Sequence, residues 1–166
     1  MAKYTFKSDL SVKGIEKLKE ELKNYKVEFN KKVGLFVERL AQEGVTMARV
    51  KITEKDAIYT GELLSSMKLR KGDTVYNGAK WYIYTDCPWA KFVEFGSGIV
   101  GSEKQHPNSD IVGWKYDINE HGESGWFYFK DDEWHWTKGM PSRPFMYETA
   151  LELQVIIPKI AREVFG

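Results

Sequence analysis

Residues 12–40 read VKGIEKLKEELKNYKVEFNKKVGLFVERL, and this stretch decides the fold. Its apolar side chains recur at steps of three and four, which is the spacing of one face of an α-helix. The face consists of Ile15, Leu18, Leu22, Tyr25, Phe29, Val33, Phe36 and Leu40. The pattern predicts an amphipathic helix of about 30 to 38 residues, roughly 45–55 Å long. Because this length exceeds the diameter of a compact domain of this size, we expect part of the helix to extend beyond the core, which hints at assembly.

The segments on either side of this helix are polar. Upstream, residues 1–10 are predicted to form a flexible arm, in which Tyr4 and Phe6 alternate with polar residues. Gly34 and Gly44 weaken the helix without necessarily ending it. Downstream, Lys51–Ile58 is predicted to be a linker.

The middle of the chain has the character of a β-meander. Residues 60–67 (TGELLSSM) predict a capped helical turn that leads into a strand. Three strands are predicted at Met67–Arg70, Thr74–Tyr76 and Trp81–Thr85, with a hairpin turn at Asn77-Gly78.

A second hairpin and a final helix follow. Pro88–Phe95 predicts a short helix that ends at Gly96, and Gly96–Gly125 predicts a long loop. Trp126–Phe129 and Glu133–Trp136 predict the two arms of the hairpin. The last helix is predicted to start near Pro144, and Pro158 is predicted to kink it or divide it in two.

Helices at the two ends and strands between them favour an α+β class. We expect one domain over residues 1–166, in which the N- and C-terminal helices pack on one face of an antiparallel sheet built from the meander and the hairpin. Within it, residues 97–140 form a variable loop followed by the Trp-rich hairpin.

Composition excludes several classes of protein. The 166 residues carry 25 Lys+Arg and 24 Asp+Glu, a formal net charge of +1, which argues against a protein that coats nucleic acid. A single Cys excludes an internal disulfide framework and a Cys-based zinc site. We also expect no transmembrane helix and no secretory signal, because no apolar run is long enough.

Candidate catalytic and metal-binding residues are few. Cys87 with His106, His121 or His135 leaves a Cys-His hydrolase open, although no local signature surrounds the cysteine. The acidic and histidine residues from 121 to 135 lack the spacing of a metal site, so a charged hairpin tip is the favoured interpretation. The glycines of residues 96–101 precede no long helix and predict no dinucleotide cofactor. We therefore expect no cofactor and no metal.

Aromatic side chains are 14% of the chain and include six Trp. One domain does not readily bury so many, and Trp and Tyr are favoured in protein interfaces. The candidate interface residues are Trp126, Tyr128, Trp134 and Trp136. The alternative is a monomeric binding module that stacks sugars or single-stranded nucleic acid on this hairpin.

Three segments, in order, resemble one family. TGELLSSM at 60–67 is similar to its Thr-Gly-x-Leu-x-x-Ser signature, through Thr60, Gly61, Leu63 and Ser66. WAKFVEFGSG at 89–98 is similar to its Val-Glu-Phe-Gly element, through Ala90, Val93, Glu94, Phe95, Gly96 and Gly98. SRPFMYETAL at 142–151 is similar to its entry to the last helix, through Arg143, Pro144 and Phe145. The family is the phage tail-component proteins typified by gene product 10 of phage HK97.

The resemblance implies a virion structural protein without an active site. It implies tail completion and head-tail joining at the neck, a fold similar to tail terminators, and a ring of copies that is hexameric in the virion. The implied partners are the head-tail connector or head-closure protein and the tail terminator or tail tube protein, with no membrane and no specific nucleic acid. The protein would be made in the bacterial cytoplasm and incorporated into the virion.

The matching segments also suggest one contact. Glu94 and Arg143 both lie at element boundaries within them. We expect Glu94 to pair with Arg143 or a neighbouring cation, and so to fix the Gly96 turn against the last helix.

Overall fold

The computed structural model describes residues 4–57, 61–74, 78–117, 120–121 and 124–166. Within them the helices are α1 Val12–Glu54, α2 Glu62–Ser66, α3 Ala90–Phe95, α4 Gly98–Glu103, α5 Ser109–Val112 and α6 Phe145–Phe165. The strands are β1 Met67–Lys71, β2 Trp81–Thr85, β3 Trp126–Lys130, β4 Glu133–Thr137 and β5 Gly139–Met140. The predicted α+β class, with long helices at the two ends, is confirmed. The paired strands form two small antiparallel sheets, β1–β2 and β3–β4.

Helix α1 is longer than its sequence pattern predicts. It has 43 residues, continues through both glycines and includes Lys51–Glu54, so the predicted linker is wrong over those four residues. Ala48 and Ile52 are fully buried, and burial of this continued apolar face keeps the chain helical where its polar composition suggested a linker. At Gly44 a Cβ atom would collide with Cδ1 of Ile83, so the glycine allows a close approach to the helix.

The chain divides into two compact units, and the first comprises Met1–Val45, Leu69–Ile83 and Glu152–Gly166. Here Phe165 of α6 contacts Phe29 and Phe36 of α1, at ring-centroid distances of 5.8 and 5.7 Å. Arg39 and Glu163 form an ion pair between the same helices at 3.5 Å. The buried apolar side chains of this unit are Ala41, Val45, Ile160 and Val164.

The second unit comprises Thr46–Lys68 and Tyr84–Leu151. Its most deeply buried large side chains are Ile52, Met67, Phe145 and Thr149. They come from the end of α1, the start of β1 and the first turns of α6. The resembling segments and the Trp-rich hairpin all belong to this unit, so it contains every candidate site residue.

Four other predictions differ from the structure in whole or in part. The predicted loop Gly96–Gly125 contains α4 and α5, and the short helix begins at Ala90 rather than Pro88. Of the two effects predicted for Pro158, division of the last helix is wrong, because α6 is continuous through this residue. Thr74 is not in a strand; the rest of that predicted strand and Asn77 lie outside the described residues.

In the part of the chain that the structure describes, no helix has both the length and the apolar character needed to cross a bilayer.

Candidate functional site

The end of α3 and the start of α6 are joined through the backbone. The amide of Arg143 donates to the carbonyl of Val93 at 2.8 Å, and the Ser142 hydroxyl donates to the carbonyl of Glu94 at 2.6 Å. Two resembling segments that are about fifty residues apart in sequence therefore form one junction. We call the residues 93–96 and 142–147 the motif junction.

Glu94 is the central side chain of the motif junction. Its carboxylate accepts the amide protons of Met146 at 2.8 Å and Tyr147 at 2.9 Å, in the first turn of α6. A helix leaves its first amide groups without backbone partners, and its N-terminus attracts negative charge. Glu94, which is only 7% exposed, thus caps α6 from a distant element.

His106 is the third partner of this carboxylate. Its Nε2 lies 3.1 Å from Oε1 of Glu94, and its Nδ1 accepts the amide proton of Asn108 at 2.9 Å. Because Nδ1 accepts, the ring proton is on Nε2 and is donated to Glu94. The ring is 4% exposed and packs on Phe95 at 4.4 Å, so this polar group is buried and satisfied.

Arg143 has a different role from the predicted one. Its Nε donates to the carbonyl of Lys55, just after the end of α1, at 3.1 Å. The predicted pairing of Glu94 with Arg143 is therefore wrong. The carboxylate still fixes α3 to the last helix, but through two backbone amides and a histidine, while the Arg143 guanidinium donates to the end of α1 instead.

The glycine of the junction is required by its conformation. Gly96 has a φ of 83°, and a Cβ atom there would lie 2.7 Å from the amide nitrogen of Ser142. Only a residue without a side chain permits this approach. Nearby, Gly98 also has a positive φ, and it forms an isolated bridge with Gly139.

The remaining motif residues that the structure describes lie in or beside short elements of the second unit. Ala90, Val93, Leu63 and Phe145 are buried, while Pro144 precedes the first residue of α6. The Ser66 hydroxyl lies 2.6 Å from that of Thr85 and donates to the carbonyl of Leu63. Gly61, with a φ of 74°, precedes α2; Thr60 lies outside the described residues.

The Trp-rich hairpin forms as predicted. Strands β3 and β4 pair in a register that sets Phe129 opposite Trp134 and Phe127 opposite Trp136. The two-residue turn has positive φ at both Asp131 and Asp132, 51° and 61°. This is the geometry of a type I′ turn, whose twist matches that of a hairpin.

One side of the hairpin is an exposed aromatic surface, which we call the aromatic face. Residues opposite each other in a ladder share a side, so the aromatic face consists of Phe127, Phe129, Trp134 and Trp136. They are 60%, 58%, 68% and 49% exposed. Their rings meet edge to face across the ladder, at 4.7 Å for Phe127–Trp136 and 5.4 Å for Phe129–Trp134.

The predicted interface residues divide between the two sides. Trp134 and Trp136 lie on the aromatic face, whereas Trp126 and Tyr128 lie on the opposite side. There Trp126 stacks on His121 at 4.6 Å and Tyr128 stacks on His135 at 5.3 Å. Sequence analysis missed Phe127 and Phe129, although counting outward from the Asp131-Asp132 turn pairs them with the two tryptophans.

The residues weighed for catalysis are not brought together. His106 contacts Glu94, His121 contacts Asp117 at 3.1 Å, and His135 contacts the carbonyl of Lys130 at 3.2 Å. Burial raises the pKa of the Cys87 thiol, which disfavours the reactive thiolate. Among the described residues, no group of three or more His, Cys, Asp or Glu side chains is arranged to hold a metal ion.

Comparison with known proteins finds no matching family model, no matching curated protein and no matching solved structure.

Proposed function

We propose that this protein is a structural subunit of a phage or prophage virion. It acts at the neck or tail, in tail completion and head-tail joining, as one copy in a ring. The proposal rests on the resemblance of three ordered segments to the tail-component family typified by gene product 10 of phage HK97. It is supported by the motif junction, where two of those segments are joined by hydrogen bonds through Glu94 and Arg143.

The structural observation that supports assembly into a ring is the aromatic face. A fully buried Phe or Trp side chain removes 150–250 Å² from water. The four half-exposed rings of the aromatic face therefore present roughly 400–500 Å² of apolar surface in total. That is near the upper limit for one apolar patch on a monomer, and about half of what each partner contributes to a standard protein interface. We assign this surface to contact with a neighbouring copy.

A ring explains why such a surface is exposed on the single chain. In a closed ring, one patch of each copy meets a different patch on the next copy. The aromatic face is therefore uncovered until assembly, and its tryptophans are suited to anchor the contact. The ends of the ring would contact the head-closure or connector protein on one side and the tail terminator or tail tube protein on the other.

Virion membership is tested on particles produced by the strain that carries the gene. We expect mass spectrometry of gradient-purified particles to detect the chain, and electron microscopy of a deletion strain to show heads and tails that are not joined. Absence of the chain from intact particles, or normal particles from the deletion strain, would refute the proposal.

The sugar- or nucleic-acid-binding alternative uses the same rings. Stacking platforms present ring faces to the ligand, but on the aromatic face the rings contact one another edge to face, at interplanar angles of 64°. Tryptophan fluorescence titration with oligosaccharides and with single-stranded DNA tests this alternative. We expect no response; a saturable change would favour the binding module.

A hydrolase using Cys87 is tested by thiol reactivity. Because burial raises the pKa of this thiol, we expect native protein to react with a disulfide reagent at pH 7 at least about tenfold more slowly than unfolded protein. A native thiol that reacts faster than the unfolded one would favour the enzyme.

A further inference from the structure

The first half of α1 carries an apolar stripe that is largely exposed. Ile15, Leu22 and Phe29 are 39%, 45% and 46% exposed. This is the part of the helix whose periodic pattern predicts a buried face. The stripe therefore has apolar surface available for a partner, and an arm of the same chain contacts one point of it.

That point is Tyr25. The ring of Tyr4 lies 4.7 Å from it and that of Phe6 lies 5.6 Å away, both in edge-to-face arrangements. Tyr25 in turn stacks on Phe29 at 6.2 Å. Residues 4–9, which we call the arm, thus fold back along α1 and anchor two rings on the stripe, although no strand forms there.

The chain reverses direction at a residue poorly suited to it. Leu10 has a φ of 62°, in the left-handed region. Glycine adopts this conformation readily and Asn and Asp adopt it occasionally, but it is unfavourable for leucine. Its side chain is 80% exposed, and that of Val12 is 78% exposed. The folded-back arm therefore leaves one strained residue and two large apolar side chains in water.

We propose that the arm exchanges between two copies of this chain. In the exchanged form, Tyr4 and Phe6 of one copy contact Tyr25 of a second copy, and Leu10 adopts an ordinary extended backbone. The ring contacts are the same in both forms, so exchange loses none of them. It relieves the left-handed residue and brings Leu10 and Val12 beside the exposed stripe of the partner.

The dimensions of the arm permit this exchange. Six extended residues from Tyr4 to Leu10 span about 20 Å, and the thirteen helical residues from Val12 to Tyr25 also span about 20 Å. When the N-terminal ends of two α1 helices meet about a two-fold axis, an arm that continues past its own helix runs along the partner's α1 and reaches the partner's Tyr25. The inference requires a second copy only and does not depend on the proposed phage function.

The experiment uses the full chain with benzoylphenylalanine in place of Phe6, which keeps an aromatic side chain and cross-links under light. Protein labelled with ¹⁴N and protein labelled with ¹⁵N are unfolded together, refolded at equal amounts and irradiated. We expect cross-links to the peptide containing Tyr25, about half of them joining different isotopes in the oligomeric fraction. Cross-links only within one isotope, or a chain that is monomeric at every concentration, would overturn the proposal.

Variants of Leu10 test whether its left-handed backbone favours the exchange of the arm. Leu10→Gly accepts a positive φ and should lower the fraction of interchain cross-links several-fold, while Leu10→Pro fixes φ near −65° and should raise it several-fold. Leu10→Ala is the matched control, because it removes the side chain and keeps the backbone cost, and it should stay close to the parent. Equal fractions in the glycine and proline variants, or an alanine variant that behaves like glycine, would overturn the role of Leu10.

Discussion

The buried side chain of Glu94 holds the end of α3 and the start of α6 together. Its carboxylate accepts two amide protons of the first turn of α6 and one proton from the buried ring of His106, so one side chain satisfies three donors. The arrangement places a negative charge at a helix N-terminus, where it is favourable. The junction between α3 and α6 therefore depends on Glu94 more than on Arg143.

Substitution at these two positions tests that ranking. Glu94→Ala removes the acceptor of two helix amides and of the buried His106 ring, and it should lower the free energy of unfolding by about 2–4 kcal/mol. Arg143→Ala removes one hydrogen bond to the Lys55 carbonyl and should lower it by about 1 kcal/mol. Urea unfolding of both variants and of Glu94→Gln, which keeps the shape, measures this. A Glu94→Ala effect within about 0.5 kcal/mol would mean that the cap contributes nothing.

A second carboxylate makes a prediction about pH. A hydrogen bond from Lys68, 2.5 Å away, lowers the pKa of Asp86 below its ordinary value of 3.8, and Asp86 raises the pKa of Lys68 above 10.5. The pair therefore stabilises the fold between these limits. Its contribution is lost as the pH falls through the lowered pKa of Asp86, or rises through the raised pKa of Lys68.

Urea unfolding of the parent and of Asp86→Asn, at several pH values, measures that contribution. We expect a small stability difference that is constant from about pH 5 to about pH 9, shrinks below about pH 4 and is reduced by salt, because both groups are exposed. A difference that grows on acidification would contradict the assignment.

At the scale of elements, the helices and strands that depend on the pattern of neighbouring residues could be predicted from the sequence. Two short aromatic runs on either side of Lys130-Asp131-Asp132 predicted the arms of the hairpin, and apolar spacing predicted α1 and α6. Longer-range packing was decisive elsewhere. Helix α1 continues past its predicted end because Ile52 is buried. The glycines of α4 form a helical turn inside a segment that was predicted to be a loop. Neither effect has a signal within a few residues.

In the candidate site, too, local features could be predicted from the sequence and long-range contacts could not. The aromatic face is a property of one hairpin, so its tryptophans could be predicted, and its phenylalanines follow once the turn is placed between Lys130 and Glu133. The partners of Glu94 are more distant. Met146 and Tyr147 are over fifty residues away and offer backbone amides, which no side-chain pattern reveals.

The turn of the hairpin gives a prediction at this scale. Asp132 has a φ of 61°, so Asp132→Gly should stabilise the fold by about 0.5 kcal/mol, and Asp132→Ala should destabilise it by about 1 kcal/mol. Thermal unfolding followed by tryptophan fluorescence compares them. Identical midpoints for the two variants would mean that the turn geometry has no influence on stability.

For the whole molecule, the distribution of aromatic side chains decides the interpretation. Several of the largest are exposed on one side of a hairpin, while the buried residues that hold the second unit together come from α1, β1 and α6. The buried residues thus stabilise the fold, whereas the rings of the aromatic face are exposed to solvent. That separation makes it possible to remove the proposed interface without unfolding the protein.

The variant Phe129→Ser/Trp134→Ser removes half of the aromatic face, and Ile111→Ser, at a site that is 82% exposed on α5, is its matched control. Because these side chains are exposed, we expect each variant to unfold within about 1 kcal/mol of the parent.

The decisive measurement is complementation of the deletion strain with each variant, with joined particles counted by electron microscopy. We expect the control to restore joined particles and the double variant not to restore them. Normal numbers of joined particles from the double variant would contradict this expectation.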